Sequence, residues 1–94
     1  MLSSEKIIQL VTDFKALADE GRLKIVLLLM QGKKSVGDIS KIIGLSQSAT
    51  SHQLRILKDA KILKVEKCGN MCYYFIADDH VKQIIETSVM HLDC

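Results

Sequence analysis

A serine at 35, a glycine at 44 and a second serine at 46 constrain this chain more than any other feature, because they divide its middle into two helical segments joined by a tight turn. Ser35 is an N-cap, with Asp38 at the third position beyond it approximating a capping box. The helix that follows covers roughly Val36 to Ile43, with Val36, Ile39 and Ile42 or Ile43 facing inward. Gly44 suits the left-handed conformation that ends a helix, and Leu45 anchors the turn. Ser46 then opens the stretch SQSATSHQLRILKDAKILKVEK. In it Ala49, Leu54 and Leu57 are read as inward, while Gln47, Ser48, Thr50, Ser51, His52 and Arg55 form a polar and basic exposed side. A short helix, a glycine turn and a second helix with a polar leading edge make a helix-turn-helix arrangement.

The pattern changes after Ala60. KILKVEK places Ile62 and Val65 in a strand or its approach, MCYYFIA is rich in strand-forming residues, and Cys68-Gly69-Asn70 turns the chain between them. A β-hairpin therefore follows the second helix. A rod with short hydrogen-bonding side chains near its N-terminus suits a DNA major groove, and Lys64 and Lys67 of the hairpin are placed for neighbouring phosphates. The competing reading of the same helix is an ordinary solvated face.

Charge favours the first reading. The formal net charge is only +2, yet residues 33–67 hold eight basic against three acidic side chains. The segments on either side are neutral (four against four) and acidic (one against four). A basic centre attracts a polyanion and makes its binding salt-dependent.

The flanks look like interface. A first helix from about Glu5 to Ala18, capped by Ser4, carries Ile7, Ile8, Leu10, Val11, Phe14 and Leu17, more than one side of a small core buries. LKIVLLLM, running to Met30, is apolar nearly all round and reads as the central helix, ended by Gln31-Gly32. A last helix, capped by Asp78 or Asp79 and extending to about Leu92, repeats Val81, Ile84, Ile85, Ser88, Val89 and Leu92 at helical spacing. With 94 residues in one domain, pairing of the first and last helices with a second copy is expected. The fold class is mainly α with a β-hairpin wing, in the order α-α-α-α-β-β-α.

No apolar run approaches about 18 residues, and MLSSEKIIQL lacks the basic start and apolar core of an export signal. A cytoplasmic protein with no membrane partner is expected. Three cysteines without an export signal argue against a disulfide framework. Cys68 and Cys72 flank the hairpin turn, where facing strand ends would allow a redox pair, with Lys64 and Lys67 near enough to favour thiolates. No nucleophile arrangement and no open metal position is visible, so an enzyme is not expected.

Nearly the whole chain resembles the ArsR/SmtB family of small winged-helix repressors. FKALADEGRLKIVLLL resembles that family's second-helix signature, VGDISKIIGLSQSATSHQLRILKDAKIL its reading unit and GNMCYYFI its wing. The resemblance implies a homodimer that binds two-fold-symmetric double-stranded operator DNA and leaves it when an inducer binds, with Ser46, Gln47, Ser48, Ser51, His52 and Arg55 corresponding to the groove-facing helix. Members that sense through cysteines beside the third helix carry a Cys-x-Cys-type segment there. This chain has Ser35-Val36-Gly37-Asp38, which sets aside the usual arsenic or antimony site. The last-helix class matches Asp78, His80, His91 and Cys94, although its terminal ligand is commonly His or Glu.

His80 and His91 lie about 16 Å apart along a helix and share a face, so one ion would need an antiparallel partner to reach both ends. A carboxylate, two imidazoles and a thiolate suit four-coordinate zinc. Cadmium and cobalt are also reasonable, and nickel would require further ligands. Two alternatives stand beside this reading: a thiol-responsive repressor using Cys68 and Cys72, and a protein–protein adaptor that binds no DNA.

Overall fold

Three serines and two aspartates start the helices of this chain, each by placing a side-chain oxygen on a free first-turn N–H. The computed structural model describes residues 1–93. Ser3, one residue before the expected cap, accepts from the Lys6 N–H and opens α1 (Ser4–Leu17). Asp19 opens α2 (Glu20–Leu29), Ser35 opens α3 (Val36–Ile43), Ser46 opens α4 (Gln47–Asp59) and Asp78 opens α5 (Asp79–Leu92). Gly44 ends α3 at φ 82°, where an L side chain is strained.

Lys61 ends α4 at φ 62° without a glycine. Its N–H donates to Lys58 O, and the Ile62 N–H donates to Leu57 O, the paired bonds of a Schellman motif.

Between α4 and α5, β2 (Leu63–Cys68) and β3 (Met71–Ile76) form the expected antiparallel hairpin. A third strand was not expected. β1 (Lys34–Ser35) pairs with β3, Lys34 opposite Tyr74 and Ser35 opposite Tyr73, so the sheet runs β1-β3-β2. Two residues show no alternation from which a strand could be read, and β1 forms only because β3 offers its second edge.

The core is built around α2. Its Ile25, Val26 and Leu29 pack with Ala16, Ile39, Leu54, Leu57, Ile62, Leu63, Ile76 and Ile85. One assignment within α4 is corrected: Thr50, not Ala49, faces inward with Leu54 and Leu57. At about 100° per residue Thr50 lies within roughly 40° of both leucines, whereas Ala49 is about 140° from Leu54. The Thr50 hydroxyl is fully buried with no hydrogen-bond partner among the described residues.

α1 packs on α2 and α4, and α5 packs on β3, leaving the rest of both helices uncovered. Ile8 and Phe14 of α1 and Met90 and Leu92 of α5 are more than half exposed. The accessible surface is 6664 Å² for a 10.5 kDa chain. A compact monomer of that mass exposes roughly 5,400 Å². The surplus of about 1,200 Å² matches the share one partner contributes to a stable interface, about 800 Å² or more.

Candidate nucleic-acid interface

The helix-turn-helix occupies α3, Gly44-Leu45-Ser46 and α4. The Ser46 hydroxyl accepts from the Ala49 N–H at 3.1 Å, which fixes where α4 begins and which residues face out. Gln47, Ser48, His52 and Arg55 are exposed and Ser51 is half-buried. These five make one polar surface along the first three turns, with Arg55 supplying the cation. Ala49 joins them as a small apolar member. Thr50 drops out, because its side chain belongs to the core.

The hairpin register decides what the wing presents. Lys64 lies opposite Phe75 and Lys67 opposite Cys72, and an odd spacing along one strand sends the two lysines to opposite faces. They do not form one basic surface. Lys33 donates to Glu66 Oε2 at 3.2 Å and sits 5.6 Å from the centre of the Tyr73 ring, so part of the basic segment's charge is spent within the wing.

The same register corrects the thiol pair. Cys68 lies opposite Met71 and Cys72 opposite Lys67, so the two cysteines project from opposite faces of the ribbon rather than toward each other. Cys68 is exposed and Cys72 half-buried.

At the start of α5, Asp78 accepts from the Val81 N–H through Oδ1, and the His80 Nδ1 lies 3.7 Å from that oxygen. The His80 side chain is 87% exposed. His91 is exposed in the last turn and borders a cavity of about 640 Å³ between α2 and α5, lined mainly by Leu23, Leu27, Ile85, Val89 and Leu92. Cys94 lies outside the described residues. Among those described, no three His, Cys, Asp or Glu side chains gather within one chain.

A cluster not expected from sequence ties α4 to the helices beneath it. Arg22 donates from Nε to Ala16 O at 2.6 Å, from Nη2 to Lys15 O at 3.2 Å and from Nη1 to Gln53 Oε1 at 3.1 Å. The Gln53 amide donates in turn to Asp19 Oδ2 at 3.2 Å, and that oxygen also accepts from the Arg22 N–H at 3.0 Å. This N–H does most to hold the Asp19 carboxyl below its ordinary value; partial burial opposes it, and the Arg22 guanidinium, Gln53 amide and Gly21 N–H add to the lowering. A local signal that could have pointed to it is Asp19 three residues before Arg22, the spacing of an N-cap. A partnership spanning 31 residues leaves no local pattern.

A short helix, a left-handed turn, a helix with a polar outer face and a hairpin wing define a DNA-binding transcriptional regulator of the winged helix-turn-helix class, not an enzyme. Residues 19–65 match the bacterial regulatory proteins of the arsR family, and the chain belongs to that family. It is 43% identical over 79 residues to the cadmium resistance transcriptional regulatory protein CadC homolog of Staphylococcus aureus, covering 83% of this chain and 65% of that protein. Against the transcriptional regulator NmtR of Mycobacterium tuberculosis it is 34% identical over 90 residues, 96% of this chain and 75% of that one. The solution structure of a homodimeric winged helix-turn-helix DNA-binding domain from Mycobacterium bovis, a possible ArsR-family regulator, is similar at a TM-score of 0.90. That match has 29% identity and covers 99% of this chain and 89% of the other. Among the described residues no helix is long and apolar enough to cross a membrane.

Proposed function

We propose that this chain is a homodimeric repressor, acting in the compartment that holds the DNA, whose hold on operator DNA is released by zinc or a related divalent metal. One observation carries the metal response: α5 bears an exposed histidine at each end, and the uncovered Ile84 between them lies within about 40° of both around the helix. A second copy laid antiparallel on that face buries Ile84. It also brings Asp78 and His80 of one chain toward His91 of the other, with Cys94 assigned as the fourth donor.

The donors fit such an ion. Asp78 uses Oδ1 as a cap and keeps a second carboxylate oxygen, and both imidazoles reach solvent. A carboxylate, two imidazoles and a thiolate are the ligand types of tetrahedral zinc. When bound, the ion supplies a cross-link between the two chains' last helices. The similarity to a cadmium resistance regulator supports a divalent-metal response. In the DNA complex Gln47, Ser48, Ser51 and His52 face the groove while Arg55 and the one wing lysine whose face of the ribbon turns toward the DNA hold phosphates. If metal and DNA favour different settings of the two heads, each weakens the other by the same factor.

The test is zinc titration of the fully reduced protein bound to a fluorescent duplex, selected by that protein from a randomised library and followed by anisotropy. Release near one zinc per subunit is expected, and it is lost in His80→Ala or His91→Ala while metal-free DNA binding persists. Unchanged zinc affinity of His91→Ala by calorimetry refutes the ligand assignment. DNA binding that ignores zinc and weakens on oxidation transfers sensing to the cysteines.

A further inference from the structure

The reading helix is held from below by a single guanidinium. α1 stops at Leu17, so the Ala16 and Lys15 carbonyls belong to its last turn, where acceptors run out of helical donors. Arg22 donates to both of these carbonyls, and its remaining hydrogen bond goes to Gln53, midway along α4. The Gln53 amide spends its other end on Asp19, which also caps α2. α1, α2 and α4 are therefore joined at one point, with the Arg22 side chain only 17% exposed.

Gly21 adds an independent observation. A Cβ at that position would stand 3.2 Å from Gln53 Nε2 and 3.3 Å from Asp19 Oδ2. The glycine leaves room for the Gln53–Asp19 hydrogen bond.

We infer that Arg22, Asp19 and Gln53 form a clasp that sets the pitch of the reading helix against α1, and that DNA affinity depends on the clasp being closed. The inference rests on the operator-binding reading and deepens it. α1 is the helix whose uncovered apolar face is offered to a second copy, so a joint between α1 and α4 fixes each reading head relative to the two-fold axis. Two heads must meet successive major grooves about 34 Å apart, so a small change of pitch at each head costs affinity with no DNA contact removed. Arg22, Asp19 and Gln53 are positioning residues in this account. The bidentate geometry matters as much as the charge, because a lysine cannot hold two carbonyls and an amide in the same plane.

The experiment measures binding of the selected fluorescent duplex by the intact metal-free protein, over a salt series, for Arg22→Lys, Gln53→Met, the double variant and Gly21→Ala. Dimerisation is followed by sedimentation and helix content by circular dichroism. Each single variant is expected to bind roughly tenfold more weakly, about the effect of one lost charge-assisted hydrogen bond. The double variant should bind no more weakly than the worse single, since one joint is opened only once. Gly21→Ala should lose affinity while remaining folded, because alanine is the better helix former. The salt slope should stay at the wild-type value, whereas losing a phosphate contact lowers it by about one.

Additive losses, a reduced slope for Arg22→Lys, or wild-type affinity in the folded variants overturn the clasp. If Arg22→Lys does not fold, Gly21→Ala and Gln53→Met decide by the same criteria. A wild-type protein that shows no sequence preference for duplex DNA refutes the operator-binding reading itself. A normal wild type with unmoved variants refutes the clasp alone.

Discussion

Replacing Thr50 with valine tests the packing of the reading helix and the boundary of its outer surface together. Thr50 is fully buried beneath α4, and its hydroxyl has no partner among the described residues. An unsatisfied buried hydroxyl costs about 1–3 kcal/mol. Valine has nearly the same shape, and its helix propensity is close to that of threonine, so neither cavity nor backbone preference offsets the gain. The expected stabilisation is about 1–2 kcal/mol. In a domain of this size each kcal/mol raises Tm by about 4–8 °C, measured at fixed protein concentration because dimerisation makes Tm concentration-dependent. Urea unfolding should show a higher midpoint at unchanged slope. Affinity for the selected duplex should not change, since the side chain faces Leu54 and Leu57 rather than the groove. A lower midpoint refutes the orphan-hydroxyl argument. Weaker DNA binding by a folded, stabilised Thr50→Val protein refutes the inward placement.

Three further outcomes follow from the same structure. Gly44→Ala puts a side chain at φ 82° and should destabilise by about 1–2 kcal/mol in urea unfolding, whereas a gain in stability contradicts the left-handed cap. Asp19 has a lowered pKa, so the stability it contributes is present above the ordinary carboxylate value of about 3.9 and is lost as pH falls through its folded-state value. Asp19→Asn keeps a capping oxygen, and acid titration of unfolding should show its deficit against wild type closing over that range; a constant deficit contradicts the charge account. Ile84→Glu places a charge on the uncovered face of α5 that carries both histidines and should shift the protein toward monomer in analytical ultracentrifugation, while an unchanged dimer relocates the interface.

The starts of α3 and α4 and the turn between them were legible because caps are local. A serine three residues before its N–H partner, or a glycine where φ must be positive, acts within a few residues, and Ser35, Gly44 and Ser46 do what their spacing implies. The wing was legible for the same reason, as two strand-forming runs around Gly69-Asn70. Misplacement began where two positions compete for one face. Ala49 is the more apolar residue, but helical phase puts Thr50 beside Leu54, and the cost of burying a hydroxyl did not outweigh the geometry of the rod. Hairpin faces failed similarly: nearness to the turn groups Lys64 with Lys67 and Cys68 with Cys72, whereas the odd spacing of the lysines and the register of the cysteines split each pair across the sheet.

By itself, the sequence determined a winged helix-turn-helix with a basic centre and two flanking helices having more apolar surface than one small core can bury. All of that follows from caps, periodicity and charge, which act over one or two turns. Tertiary structure alone decided that β1 exists and that Arg22 holds α1 while grasping Gln53 on α4. These depend on hydrogen-bonding groups distant in the chain finding one another. A free strand edge or a buried carbonyl selects its partner by position in space, and no spacing along the sequence records that choice.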